Sequence, residues 1–193
     1  MIFNQLFDDK SSTYTYIISS GKGREALIID PVIEHTKKYI KILQDLELKL
    51  VKVIDTHIHA DHISGLNELN KQTECTRVMG EESESEVIDL RVKENEKVKI
   101  EEVELTTLYT PGHTKCSYSY LMNDRVFTGD TLLINGSGRT DFQGGNAMEQ
   151  YDSIFNKLLK LPDKTLVYPA HDYNGKKFST VENERNNNPR LQV

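Results

Sequence analysis

Thr56-His-Ile-His-Ala-Asp-His62 sets three histidines and an aspartate within six residues, directly after the apolar run Leu50 to Ile54. That β-branched run reads as a buried strand. A strand that ends in a turn can aim such a cluster into one cleft. Imidazole and carboxylate are the usual ligand types for zinc and iron. A surface histidine patch would give the same seven letters, so the rest of the chain decides between the two.

Three more motifs repeat the arrangement. Thr110-Pro-Gly-His-Thr114 places His113 in a tight turn after a strand. Phe127-Thr-Gly-Asp-Thr131 places Asp130 at another strand end, and Tyr168-Pro-Ala-His-Asp-Tyr173 does the same for His171. Each is weak alone. With the first motif they hold five of the six histidines, each near the end of an expected strand. The sixth, His35, falls at a helix start and reads as a surface residue.

The segments between these motifs define the fold class. Thr13 to Ser19 alternates polar and β-forming residues, and Ala26 to Asp30 follows beyond Gly21 and Gly23, which predicts a hairpin. Tyr39, Ile42, Leu43 and Leu46 share one helical face. Leu66 to Thr73 reads as a short helix and Arg77 to Met79 as a short strand. Lys97 to Leu108 reads as a second hairpin, and Ser117–Met122 and Arg125–Thr128 as two strands joined at Asn123-Asp124. Asn146 with Glu149 has the form of a capping box, opening a helix that Pro162 closes. Thr165 to Tyr168 is one more buried strand, and a polar helical tail ends at Pro189. Hairpins with interspersed helices in both halves predict an α/β chain of two mixed sheets face to face, helices outside. Residues 1–193 are expected to form a single domain.

Composition excludes several classes. The net charge of −6 carries no basic face for nucleic acid. No run approaches the roughly 20 apolar residues of a membrane span. The N-terminus has neither a basic n-region nor an Arg-rich transit pattern, which gives the cytoplasm as the expected compartment. Cys75 and Cys116 make no disulfide framework and read as small buried thiols in a reducing setting. The run Glu81-Glu-Ser-Glu-Ser-Glu86 reads as a solvated turn or helix face.

The order H-x-H-x-D-H, glycine-histidine turn, G-D and late histidine resembles the metallo-β-lactamase superfamily, from about Thr13 onward. The resemblance implies its αββα sandwich. In dinuclear members the positions of His57, His59 and His113 form one metal site. Those of Asp61, His62 and His171 form the other, with Asp130 bridging. Within the superfamily, Gly136-Ser-Gly-Arg-Thr-Asp-Phe-Gln143 resembles the G-C-G-R-T-D-F-Q stretch of persulfide dioxygenases. So do Tyr168–Tyr173, Ser179-Thr-Val-Glu-Asn-Glu-Arg185 and Asn188-Pro-Arg-Leu191. Two departures stand out. Ser137 replaces the family's usual cysteine, and Lys115-Cys116 stands where many members have Pro-Gly.

The resemblance to persulfide dioxygenases implies one Fe(II) per chain, held by His57, His113 and Asp130. It implies glutathione persulfide and O2 as substrates, with sulfite and glutathione as products. His59, Asp61, His62 and His171 then either orient those ligands or bind a second metal, giving two Zn. Arg139 and Tyr173 are the candidates for holding substrate, since a guanidinium fork binds carboxylates well. For Arg139, pairing with Asp141 is an equally good account. A homodimer is compatible with the sequence.

Two rival readings stay open. A hydroxyacylglutathione hydrolase of the glyoxalase II type shares the metal motifs. Those enzymes continue into a helical C-terminal domain, whereas 22 residues follow His171 here. A non-enzymatic metal-binding module would need closed coordination, against which the surplus of ligands in a glycine-rich setting argues.

Overall fold

The protein is described here from a computed structural model covering residues 1–192. One sheet carries β1 (Ile2–Asp8), β2 (Thr13–Ser19), β3 (Glu25–Ile29), β4 (Lys49–Ile54), β5 (Thr76–Gly80) and β6 (Leu90–Val92), in that spatial order. The second carries β7 (Lys97–Ile100), β8 (Val103–Tyr109), β9 (Tyr118–Leu121), β10 (Arg125–Gly129), β11 (Leu166–Pro169) and β12 (Ser179–Thr180). They are ordered β12-β11-β10-β9-β8-β7. Both sheets are mixed. β3, β4, β5 and β6 pair in parallel, as do β10 and β11, while the remaining neighbours are antiparallel.

Side-chain alternation along these strands makes the layers. Tyr16, Ile18, Leu27 and Ile29 from the first sheet meet Leu105, Tyr120, Phe127 and Tyr168 from the second in the central core. Their sequence neighbours Ile17, Ile28 and Val53 face the other way. They pack under Tyr39 and Leu43 of α1 (Thr36–Asp45) and Leu69 of α2 (Leu66–Thr73). On the far side, Val126 and Val167 pack with Ile154, Leu158 and Val181. These belong to the segment opened by α3 (Ala147–Asp152) and to α4 (Val181–Asn187). The result is an αββα sandwich, as the hairpin pattern predicts. No helix among the described residues is long and apolar enough to cross a membrane.

Three strands escape the sequence pattern. β1 places apolar residues on both of its faces: Phe3 packs on the central core, Ile2 and Leu6 on the helical side. Clean alternation is therefore lost. β6 and β12 span three and two residues, too short to show a period. Asn146 caps α3 as expected, its side chain accepting from Met148 N and Glu149 N. The helix does not run unbroken to Pro162. It widens to a π-turn at Ser153–Lys157 and tightens to a 3-10 turn at Leu158–Lys160. The widening begins at Ser153, whose hydroxyl donates to Pro111 O at 2.7 Å, tying this segment to the turn that carries His113. His35 is not a free surface residue. It is half-buried, with Nε2 2.8 Å from Asp8 Oδ1, and joins the turn before α1 to the end of β1.

Candidate metal centre

The four motifs follow the C-terminal ends of β4, β8, β10 and β11, and the two sheets bring those ends to one cleft. A cavity of about 390 Å³ there is lined by His57, Asp61, His113, Asp130, Arg139 and Tyr173, among others. His57, His113 and Asp130 offer one ligand atom each within a 4.8 Å cluster. Asp130 Oδ2 lies 3.8 Å from His57 Nε2 and 3.5 Å from His113 Nε2. Three ligands with bonds of about 2.1 Å stand roughly 3.0–3.5 Å apart on one metal. The trio is slightly open for that, and otherwise suited to hold one ion.

Each ligand's far side is fixed. Thr56 Oγ1 donates to Asp30 Oδ2 at 3.0 Å, so its lone pair accepts the His57 Nδ1 proton at 2.9 Å. That sets the tautomer with Nε2 bare toward the cleft. Burial, with the neighbouring His59 ring, also pushes His57 well below the usual imidazole range. A neutral ring is the form a metal requires. His113 Nδ1 donates to Arg139 O at 2.8 Å, which again leaves Nε2 bare. Gly138 makes this contact feasible: a Cβ there would lie 2.8 Å from His113 Nδ1 and still closer to Asp130 O. Gly129 has φ +53°, and a Cβ would meet Thr56 Oγ1 at 2.7 Å. Both glycines let backbone close around the ligands.

His171 stands apart from that trio. Its Nδ1 lies 2.7 Å from Asp130 Oδ1, and its Nε2 lies 2.9 Å from Asp61 Oδ2 and 3.0 Å from Thr13 Oγ1. Burial opposes charge on this ring, yet Asp130 and Asp61 outweigh it and push its pKa up to about 10. The two carboxyls are held well below their usual range, against the effect of burial, with His171 the main partner of each.

A second cluster joins His59, Asp61 and His62. His62 Nδ1 faces Asp61 Oδ2 at 3.0 Å, and His59 Nε2 faces Asp30 Oδ1 at 3.2 Å. Their other nitrogens, His59 Nδ1 and His62 Nε2, are buried with no hydrogen-bond partner. His59 thus groups with Asp61 and His62, while its ring also lies 4.2 Å from that of His57, centroid to centroid.

Arg139 and Tyr173 stand at the cavity mouth. Arg139 pairs bidentately with Asp141, Nε to Oδ1 at 2.8 Å and Nη2 to Oδ2 at 3.1 Å, in a largely exposed position. Its remaining N–H groups point away from that pair. The Tyr173 ring is stacked parallel to His171, centroids 6.2 Å apart, and is exposed. Asp30 and Thr56 support the His57 ring through hydrogen bonds that the sequence reading did not assign. The available signal was Asp30-Pro31 at a strand end, where Asp30 takes φ +49° and turns its carboxylate beneath the histidines.

Comparison with known proteins identifies the family. The metallo-beta-lactamase superfamily profile matches residues 8–171. The mouse (Mus musculus) persulfide dioxygenase ETHE1, mitochondrial, is 42% identical over all of this chain and 77% of that protein. The crystal structure of ETHE1 from Myxococcus xanthus superposes with a TM-score of 0.97 at 46% identity, covering 99% of this chain and 84% of that one. A hydroxyacylglutathione hydrolase from Dictyostelium discoideum is 35% identical over 90% of this chain and 68% of its own length. On whole-chain identity and shared fold, this chain belongs to the persulfide dioxygenase family of enzymes within the metallo-β-lactamase superfamily.

Proposed function

We propose that the enzyme oxidises glutathione persulfide with O2 and water to glutathione and sulfite, using one Fe(II) held by His57, His113 and Asp130. The balance is GSSH + O2 + H2O giving GSH, sulfite and two protons. The terminal sulfur loses four electrons and O2 gains them. Bound there, a two-histidine, one-carboxylate iron supplies open positions where sulfur and O2 can meet.

The observation that carries this reading is the division of Asp130. Oδ2 faces the two Nε2 atoms, while Oδ1 is held by His171. Both nitrogens of His171 are engaged by carboxylates, so it serves as a charged clamp on Asp130 and Asp61. With Oδ1 of Asp130 turned to His171, only Oδ2 faces the two histidines, an arrangement that suits one ion. Thr56 and Arg139 O hold the two histidine rings in their binding tautomers. Arg139 takes a carboxylate of glutathione, and Tyr173 walls the cavity beside His171. The two buried free thiols fit a reducing compartment, read here as the cytoplasm.

One observation favours a second reading. The bare nitrogens of His59 and His62, with Asp61, are what a second ion would use in a glyoxalase II type hydrolase. Metal analysis of protein purified without added metal, joined to oxygen uptake with glutathione persulfide, separates the two. The expected result is about one iron per chain with sulfite formed. Two zinc ions with thioester hydrolysis and no O2 uptake would overturn the dioxygenase reading.

A further inference from the structure

Beside the metal pocket lies a second cavity of about 400 Å³, on the side of His57 and His113. Ile58 and Thr114, the residues that follow those two histidines, line it, and Gln143 lines both cavities. Its walls also carry Glu82, Glu84 and Lys115. Unlike charges sharing one cavity usually pair, but these do not. The Lys115 ammonium and the Glu84 carboxylate have no ion-pair partner among the described residues. Glu82 Oε1 accepts weakly from the Tyr118 hydroxyl at 3.4 Å, and Glu82 Oε2 is buried with no partner at all. A buried acceptor without a donor is costly and calls for one.

The geometry points to this cavity as the binding site for the γ-glutamyl end of the glutathione carrier, which deepens the dioxygenase reading and rests on it. That end is an α-amino acid zwitterion. Its ammonium matches Glu82 and Glu84, and its carboxylate matches Lys115. Such charge-assisted hydrogen bonds are the strong ones. The other end of glutathione is a lone glycyl carboxylate, the group that suits Arg139, which lines the metal pocket. The thiol lies between the two ends. A molecule held at both ends therefore brings its sulfur over His57, His113 and Asp130. Lys115, one of the chain's departures from the family pattern, then sets which thiol carrier is accepted.

The test is an anaerobic calorimetric titration of the metal-loaded enzyme with glutathione, N-acetylglutathione and cysteinylglycine. The wild type should bind glutathione about tenfold or more tightly than N-acetylglutathione, which lacks the ammonium. Glu82→Gln should erase that preference by weakening glutathione alone. Lys115→Met, at an exposed position, should weaken glutathione and N-acetylglutathione about equally and leave cysteinylglycine unchanged. In oxygen uptake both variants should raise KM for glutathione persulfide and keep kcat. Equal affinities of wild type and both variants for all three thiols would overturn the assignment, as would equal losses for all three. Should Glu82→Gln fail to fold, the Lys115→Met series decides by itself. Because no turnover is involved, the titration reads the cavity even if no persulfide supports oxygen uptake, and that second result would fall on the dioxygenase reading alone.

Discussion

His171 Nδ1 lies 2.7 Å from Asp130 Oδ1, and the contact turns the other carboxylate oxygen toward His57 and His113. Asp130 is thus shared between a clamp and a ligand set. Asp130→Ala should abolish iron binding and activity together, because two histidines alone make a weak site. His171→Ala should keep much of the iron, with a loss of roughly 10–100-fold in affinity or activity, as for other groups that orient a ligand. Metal content and oxygen uptake on the two variants check this. Complete loss of iron in His171→Ala would make His171 a direct ligand.

The Asp30–Thr56–His57 chain makes a similar prediction one step further from the metal. Thr56→Val keeps the side-chain shape but removes the hydroxyl that receives the Nδ1 proton of His57. Iron affinity should fall roughly 10-fold or more while the fold is kept. It is read by competition with a chelator, with circular dichroism as the control. Unchanged affinity would mean that packing alone orients the ring.

Asp8 supplies a pH-dependent prediction away from the cleft. Its carboxylate is buried, which by itself would raise its pKa. Hydrogen bonds from Ser11 N, Ser11 Oγ and His35 outweigh burial and bring it down to about 2. A depressed carboxylate stabilises the fold above its unfolded pKa of about 3.9 and loses that contribution as pH falls toward the folded value. Asp8→Asn should therefore cost about 2 kcal/mol at pH 6. The gap to wild type should narrow between about pH 4 and pH 2. Urea unfolding at pH 6, 4 and 3 measures it, and a gap constant with pH would remove Asp8 from this role.

How much of this was legible in the sequence follows from range. The choice of His57, His113 and Asp130 among the candidate ligands came from the resemblance to persulfide dioxygenases. The candidates themselves could be nominated because each motif follows a strand whose apolar pattern is local, and the four motifs share one order. The layers were legible for the same reason, since Ile17 against Ile18 or Val126 against Phe127 shows which face each side chain takes. What stayed hidden depends on contacts between distant segments. The His171 clamp joins residues 41 and 110 positions apart, and Thr56 reaches Asp30 across 26. No spacing rule carries those pairs. His35 misread as a surface residue is the same failure: its partner, Asp8, lies on a strand with no clean alternation.

On the proposed reading substrate choice turns on Arg139, whose fork is already half engaged by Asp141. Asp141 occupies Nε and Nη2, leaving the remaining N–H groups for a glutathione carboxylate. The enzyme should take up O2 with glutathione persulfide and hydrolyse a glutathione thioester slowly, since that hydrolysis in relatives uses a hydroxide bridged by two metals. Arg139→Lys keeps the charge but loses the planar fork, so KM should rise with kcat largely kept, the pattern of lost uniform binding. Asp141→Asn should do the opposite. It weakens the internal pair and frees the guanidinium for substrate, so KM should fall. Steady-state oxygen consumption on the wild type and both variants decides, beside a thioester assay. Opposite shifts in KM place Arg139 on the substrate. Unchanged KM in both variants would leave Arg139 and Asp141 as a structural pair whose service to the site is the Arg139 carbonyl on His113.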